Sequence, residues 1–246
     1  MKLGIIGGTA LEQLVVGRSD SIFVETAWGR PSAPISRNRI GATEVLFLNR
    51  HGLEHRIPPH LINYRANLSA LHQQHVDGIV AVYSAGGITQ RMTAGSLVVP
   101  DQIVDYTWGR EHTYSDGPHQ VLQHIDFTHP YDDELRQKLL RAGADCGAGL
   151  IDGGVYGVAQ GPRLETAAEV RRLERDGCDL IGMTGMPEAA LARELGVPFA
   201  GLVMVVNPAA GKSDRLISMA EIAAVMAEAT PGLLSVLSTF CQGSGP

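Results

Sequence analysis

Arg50 and His51 stand side by side in Asn49-Arg50-His51-Gly52, directly after an apolar run. Small or polar residues follow other apolar runs in the same way: Gly7-Gly8-Thr9, Ser84-Ala85-Gly86-Gly87, Met183-Thr184 and Asn207-Pro208. A guanidinium next to an imidazole, with the hydroxyls of Thr9, Ser84 and Thr184 and the backbone N–H groups of Gly7 and Gly8, suits phosphate or another small oxyanion. Each signal alone is weak, because a lone arginine after a strand is more often a surface ion pair and a threonine there is usually a helix cap. Their recurrence at the ends of apolar runs points to one pocket, since strand ends converge in open α/β sheets.

Three other motifs suggest chemistry and are set aside. His51-Gly52-Leu53-Glu54-His55 matches a zinc-peptidase pattern that needs two histidines one helical turn apart, but Gly52 lies inside it and Pro58-Pro59 follows closely. A strand-to-loop turn is expected there instead. Gly211-Lys212-Ser213 resembles the end of a nucleotide-binding phosphate loop, yet Val206 stands where that motif requires glycine, and a surface turn is expected. Gly4-Ile5-Ile6-Gly7-Gly8-Thr9 lacks the glycine spacing of a dinucleotide site. The 3 cysteines, Cys146, Cys178 and Cys241, form no C-x-x-C pair. No metal site and a reduced, cytoplasmic protein are the expectations.

The elements that must position Arg50 and His51 read as alternating strands and helices. Leu3 to Ile6, Val45 to Leu48, Gly78 to Tyr83, Leu97 to Val99, Val155 to Ala159 and Leu202 to Val206 read as buried strands. Asn63 to His75 and Asp132 to Ala142 read as amphipathic helices. Capping boxes at Thr166-Ala167-Ala168-Glu169 and Ser218-Met219-Ala220-Glu221 start two more, the last reaching Phe240. Tyr106 to Pro130, with Trp108 and His124, is a polar excursion without periodicity. The chain has 246 residues, 44% of them hydrophobic, enough for one α/β domain over residues 1–241 with a tail at 242–246. A net charge of −6 speaks against duplex nucleic acid as a partner. No run of about 18 apolar residues occurs, so membrane spanning is not expected.

Longer motifs carry a family resemblance. Asn49-Arg50-His51-Gly52, Pro58-Pro59-His60, Asn63-Tyr64-Arg65-Ala66-Asn67 and Ala70-Leu71 closely resemble the methylthioadenosine phosphorylase branch of the trimeric purine nucleoside phosphorylases. Gly4 to Thr9, Val99-Pro100-Asp101-Gln102, Gln160-Gly161-Pro162-Arg163, Gly182-Met183-Thr184 and Pro187-Glu188-Ala189 extend the resemblance over nearly the whole chain. It implies a single-domain αβα sandwich with a mixed central sheet, a homotrimer, and phosphorolysis of a purine nucleoside. Inorganic phosphate would be a co-substrate, with neither metal nor organic cofactor.

Carried over residue by residue, the resemblance places phosphate against Thr9, Arg50, His51, the turn at Tyr83 and Ser84, and Thr184. Tyr83 departs from the threonine usual in that branch, which puts its side-chain contact with phosphate in question. Met183 would lie against the ribose, and His124 would reach the sugar of a neighbouring subunit. The adenosine-type branch ends its last strand in Thr-Asp-Tyr-Asp, where this chain has Val206-Asn207-Pro208-Ala209. Asn207 can donate to O6 while interacting with N7 of a 6-oxopurine, and Glu165 would accept from N1–H. Without the resemblance Glu165 could simply favour a helix N-terminus. Leu164 replaces a phenylalanine beside the base. Met219 stands where ordinary nucleoside phosphorylases place a histidine for the 5′-hydroxyl, and a thioether would suit it. Together these residues point to 5′-methylthioinosine, with Asn207, Arg50 and His51 as the catalytic groups. Methylthioadenosine, inosine or guanosine, and an inactive nucleoside-binding trimer are the alternatives.

Overall fold

The computed structural model describes residues 1–8, 11, 20–117 and 121–243. Among these residues, one sheet of 11 strands organises the molecule. In chain order they are β1 (Lys2–Gly7), β2 (Asp20–Ile22), β3 (Ile35–Ile40), β4 (Thr43–Asn49), β5 (Gly78–Gly87), β6 (Leu97–Val99), β7 (Gln102–Asp105), β8 (Ile151–Asp152), β9 (Val155–Val158), β10 (Leu180–Gly182) and β11 (Phe199–Pro208). Five helices cover the sheet: α1 (Tyr64–Gln73), α2 (Asp133–Asp145), α3 (Ala167–Arg175), α4 (Gly185–Glu194) and α5 (Met219–Gln242). The main path runs β2-β3-β4-β1-β5-β10-β9-β7, while β11 pairs with both β5 and β6. β1 lies parallel between β4 and β5, and β10 runs antiparallel to β5, so the sheet is mixed.

Alternation along the central strands creates the layers. Leu3, Ile5, Val45, Phe47, Val80 and Val82 pack toward Leu135 and Leu139 of α2 and Leu233, Val236 and Leu237 of α5. Their neighbours Ile6, Leu46, Leu48, Ile79, Ala81 and Tyr83 face Tyr64, Leu68 and Leu71 of α1 and Ala189, Leu191 and Ala192 of α4. A strand buried on both faces reads as a continuous apolar run, which is why these strands were visible in the sequence. The expected αβα sandwich is the observed fold.

The caps follow side-chain chemistry. Asn63 accepts from the N–H of Ala66, Asp132 from that of Leu135, and the box of Thr166 and Glu169 closes in both directions. At α5 only half of the expected box forms: Ser218 accepts from Glu221 N–H, while the Glu221 carboxylate lies 3.8 Å from Arg215. That helix runs through Gln242 with Gly243 as its cap, two residues past the expected helix end at Phe240 and one past the expected domain boundary at 241; residues 244–246 lie outside the described residues. By length and composition α5 is apolar enough to cross a membrane, which the absence of an uninterrupted apolar run concealed. Its later turns are apolar because Leu233, Val236, Leu237 and Phe240 are packed on the sheet.

The excursion from Tyr106 to Pro130 contains no helix or strand among its described residues. Its first half is tied down: Tyr114 is 1% exposed, its hydroxyl donates to the Arg65 carbonyl and its backbone N–H donates to Glu194 Oε2. Farther along, Val121 and Leu122 are exposed.

Candidate active site

The ends of β1 and β4 meet where the Arg50 N–H donates to the Gly7 carbonyl at 2.9 Å. The chain then turns through Gly52, whose φ of +78° is the left-handed conformation that favours glycine. Residues 51–55 form this turn and not a helix, so the two histidines of the zinc-like motif are not presented from one helical face. Their rings lie against each other with centroids 4.6 Å apart. Gly211-Lys212-Ser213 is likewise a turn, with Lys212 paired to Glu174.

Arg50 is 2% exposed and held from three sides. Its Nε and Nη2 donate to the two oxygens of Glu188 at 2.6 and 3.0 Å, Nη1 donates to the Val82 carbonyl, and Nη2 also reaches the Ile6 carbonyl. Four of its five N–H groups are thus committed to protein acceptors, leaving one on Nη1. Burial alone would lower the guanidinium pKa, but the Glu188 charge and hydrogen bonds outweigh it and hold the group above its ordinary value. Arg50 is a fixed cation.

Tyr83 completes that pair. Its hydroxyl donates to Glu188 Oε2 at 2.9 Å, and the Arg50 guanidinium lies 4.8 Å from its ring centroid. Burial, and then the nearby Glu188, raise the phenol pKa well above its usual value, so the hydroxyl keeps its proton and stays a donor. At this position, where the resemblance has a threonine, the Tyr83 hydroxyl is committed to the carboxylate that seats Arg50.

His51 takes the opposite electrostatic role. Its Nδ1 lies 2.8 Å from the Ile57 carbonyl, which can only accept, so Nδ1 carries the proton and Nε2 a lone pair. Burial, helped by Arg50 and His55 and opposed by the Ile57 carbonyl, lowers its pKa to about 4. The ring is neutral at pH 7. Its ordinary value is 6.5, so the unfolded chain takes the proton first; this contribution to stability is therefore lost as pH falls from 6.5 through about 4. Ring NMR of the unliganded protein should give a His51 midpoint near 4, and a midpoint near 6.5 would contradict this environment.

Two cavities meet around these groups. The smaller, about 260 Å³, is lined by Gly8, Arg50, His51, Tyr83, Ser84 and Thr184, with Met204, Met226 and Leu233 behind them. The larger, about 480 Å³, is lined by Met183, Leu164, Glu165, Asn207, Ala209 and Met219, among others. His51, His55, Ser84 and Thr184 line both. Ser84 is the single exposed residue of β5, which marks where the strand opens into the cavities. Thr184 occupies the N-cap of α4 but makes no capping bond, so its hydroxyl is not drawn to the helix as sequence logic expects. The turn that carries Met183 and Thr184 is pressed onto Tyr156: a Cβ at Gly182 would lie 2.1 Å from the tyrosine hydroxyl.

In the larger cavity the Oε1 of Glu165 is buried without a hydrogen-bond partner. Burial pushes this carboxyl above its ordinary range, and a donor directed at Oε1 would reverse that. A register shift between Val205 and Asn207 in β11 re-aims the strand end, and Asn207 lines the cavity with its Nδ2 donating to the Pro208 carbonyl at 2.6 Å. Met219 is 70% exposed and lines the cavity, so it is no core residue.

Two expected residues stand apart from the cavities. Pro208 is exposed and off the cavity wall, because the bulge turns Asn207 inward and leaves the next residue facing out. His124 lies on the exposed half of the excursion and lines neither cavity of its own chain. Thr9 lies outside the described residues. Glu188 received no role from sequence, although one acidic residue in the otherwise apolar Met186 to Ala192 stretch is a signal for a buried ion pair.

Comparison with known proteins agrees with this geometry. The sequence pattern described as the phosphorylase superfamily matches residues 2–242. The chain is 52% identical over 219 residues, 89% of each chain, to a "Probable S-methyl-5′-thioinosine phosphorylase" of Pseudomonas syringae pathovar tomato. It is 49% identical over 242 residues, 98% of each chain, to a protein of the same description from Xylella fastidiosa. A crystallised methylthioadenosine phosphorylase from Schistosoma mansoni, in complex with adenine, superimposes with a TM-score of 0.92 at 27% identity, covering 98% of this chain and 91% of that one. With a cation-bearing cavity joined to a larger one at the strand ends and a family pattern running almost from end to end, this chain belongs to the phosphorylase superfamily.

Proposed function

We propose that this chain catalyses phosphorolysis of 5′-methylthioinosine to hypoxanthine and 5-methylthioribose 1-phosphate. The observation that supports this reading is the junction of the two cavities at His51, Ser84 and Thr184, where an anion in the smaller would adjoin a nucleoside in the larger. Phosphate is held by Arg50, His51, Ser84 and Thr184, with Thr9 as a further ligand and the Tyr83 backbone at the turn. The ribose lies on Met183 and the base between Leu164 and Ala209. As the glycosidic C–N bond breaks, its electron pair passes to the purine and the sugar becomes oxocarbenium-like. A phosphate oxygen then bonds to the anomeric carbon, and the proton that hydrogen phosphate gives up on forming the ester passes through solvent to the departing purine, which leaves as neutral hypoxanthine. Asn207 stabilises the charge growing on N7 and O6, and Glu165 accepts from N1–H, a donor a neutral 6-aminopurine lacks. Every step is assigned to phosphate, solvent and residues of this chain.

The 5′ substituent meets Ile217, Met219 and Ile222, an apolar wall without a hydrogen-bonding side chain. We place this site in a homotrimer in which His124 serves a neighbour. The exposure of Val121 and Leu122 beside it supports an arm that finds its contacts on another copy.

The test is phosphate-dependent release of base from methylthioinosine, methylthioadenosine and inosine, with the products separated chromatographically. Methylthioinosine should be preferred by at least about tenfold, the scale of one well-made contact. A preference for methylthioadenosine would unseat Asn207 and Glu165, and a preference for inosine would unseat Met219. No phosphate-dependent release from any of the three would remove the activity itself.

A further inference from the structure

Arg110 is a second buried guanidinium, and the proposed chemistry makes no use of it. It lies near the start of the excursion and is 7% exposed. Each of its hydrogen bonds goes to a neutral oxygen. Nη1 donates to the carbonyls of Met183 and Met186 and to the Tyr64 hydroxyl, and Nη2 to the carbonyls of Ala159 and Gln160. Nε is buried without a partner among the described residues. The ring of Tyr64 lies 5.3 Å away, and its hydroxyl continues to the Pro59 carbonyl at 2.8 Å.

These acceptors sit on the segments that build the larger cavity, and Met183 and Pro59 themselves line its wall. Met183 lies in the turn between β10 and α4 and Met186 in the first turn of α4, on either side of Thr184; Ala159 and Gln160 follow β9 and lead into Pro162 and Glu165, and Pro59 lies on the wall that follows β4. The Trp108 N–H adds a bond to the Gln160 side chain, so the start of the excursion is fastened to the same segment. A buried cation with no carboxylate in its hydrogen-bond shell is costly to fold around, and burial lowers its pKa. A shorter apolar residue would fill the space at less cost, but it could not bridge three backbone segments.

We infer that Arg110 is a positioning residue for the nucleoside: its fork holds the Met183 turn, the segment after β9 and, through Tyr64, the Pro59 wall in the register that the ribose and base require. This rests on the phosphorolysis reading. It assigns no contact between Arg110 and substrate. Lysine cannot replace it, because its one nitrogen can stand in for Nη1 or for Nη2 but not for both, so the turn at Met183 and the segment after β9 cannot be held together.

The test uses the full chain carrying Arg110→Lys or Tyr64→Phe, with nucleoside and phosphate varied independently, hypoxanthine binding followed by calorimetry, and thermal melts recorded. Arg110→Lys should lower kcat/KM for the nucleoside by about 10²-fold, the scale of a misplaced reactant, while the phosphate KM stays within about threefold. Tyr64→Phe, which removes the hydroxyl's bonds to Arg110 and to the Pro59 carbonyl, should raise the nucleoside KM by about three- to tenfold. Wild-type nucleoside constants in a folded variant, or KM values for both substrates moving together, would overturn the assignment. If Arg110→Lys does not fold, Tyr64→Phe decides on the same criteria. An unaltered protein that binds hypoxanthine without turnover would remove the activity and leave Arg110 to be judged from the affinities; one that neither binds nor turns over would remove both.

Discussion

Arg50→Met should lower kcat/KM for phosphate by about 10²–10³-fold, the usual loss when a preorganised group facing developing charge is removed. The same change damages the fold, because Glu188 is 0% exposed and would keep only the Tyr83 hydroxyl as a partner. Breaking a buried ion pair from one side costs about 3–5 kcal/mol. For a chain of this size that lowers Tm by about 10 °C. Arg50→Met with Glu188→Gln should recover most of the stability and none of the activity, since the lone buried charge is gone while the cation is still missing. Steady-state kinetics in phosphate and a thermal melt of all three variants check this. A single variant with undiminished phosphate use would show that Arg50 is only a strut of the core.

Asn207→Asp should shift the ratio of kcat/KM for methylthioadenosine over that for methylthioinosine by about 10³-fold, because specificity is a difference to which attraction and repulsion both contribute. The carboxylate repels O6 of a 6-oxopurine and loses the amide donor; with a 6-aminopurine it gains an acceptor for the exocyclic N–H. Glu165 should act in the same direction from the other edge of the base. Its buried Oε1 has no partner among the described residues, so a ligand N–H meets an acceptor that is already desolvated. Glu165→Gln should therefore lower methylthioinosine turnover by about 10–100-fold, the range of a hydrogen bond to a charged group. Competition between the two nucleosides in one reaction reads the ratio directly. An unmoved ratio in Asn207→Asp would mean that the β11 bulge does not present this side chain to the base.

What could be read from sequence divides along physical lines. β1, β4, β5 and β11 were legible because both faces are buried and the apolar run is uninterrupted, and α1 to α3 because their caps and periodicity are local. β3 escaped because Ile35–Ile40 reads Ile-Ser-Arg-Asn-Arg-Ile, an alternating strand with polar residues at most of its positions. α4 escaped because it opens on Gly185-Met186-Pro187 with Met186 in a non-helical conformation, which a local reading takes for a loop. Pro231 inside α5 carries the same misleading signal, and there the packing of Leu233 and Val236 prevails.

At the site, residue types were legible and their pairings were not. Arg50 and His51 were recognisable as an anion-binding pair, but the partner that fixes Arg50 lies 138 residues away in Glu188, and the Tyr83 hydroxyl reaches the same carboxylate across 105. No local pattern encodes such distances. Arg110 was hidden for the same reason, since its acceptors are backbone carbonyls, which sequence does not distinguish.

The proton on His51 Nδ1 has a consequence for anion selectivity. The Ile57 carbonyl holds that proton, so the ring offers an incoming tetrahedral anion a lone pair and no donor. A singly protonated phosphate can answer both neighbours, giving its own P–OH hydrogen to Nε2 and its charge to Arg50. Arsenate, which keeps a proton at neutral pH, can do the same. Sulfate has no proton left to give, and its oxygens would face the imidazole lone pair directly. On the proposed reading, the smaller cavity would separate anions of nearly equal size and charge by whether they arrive protonated, with a neutral histidine beside a fixed cation as the filter.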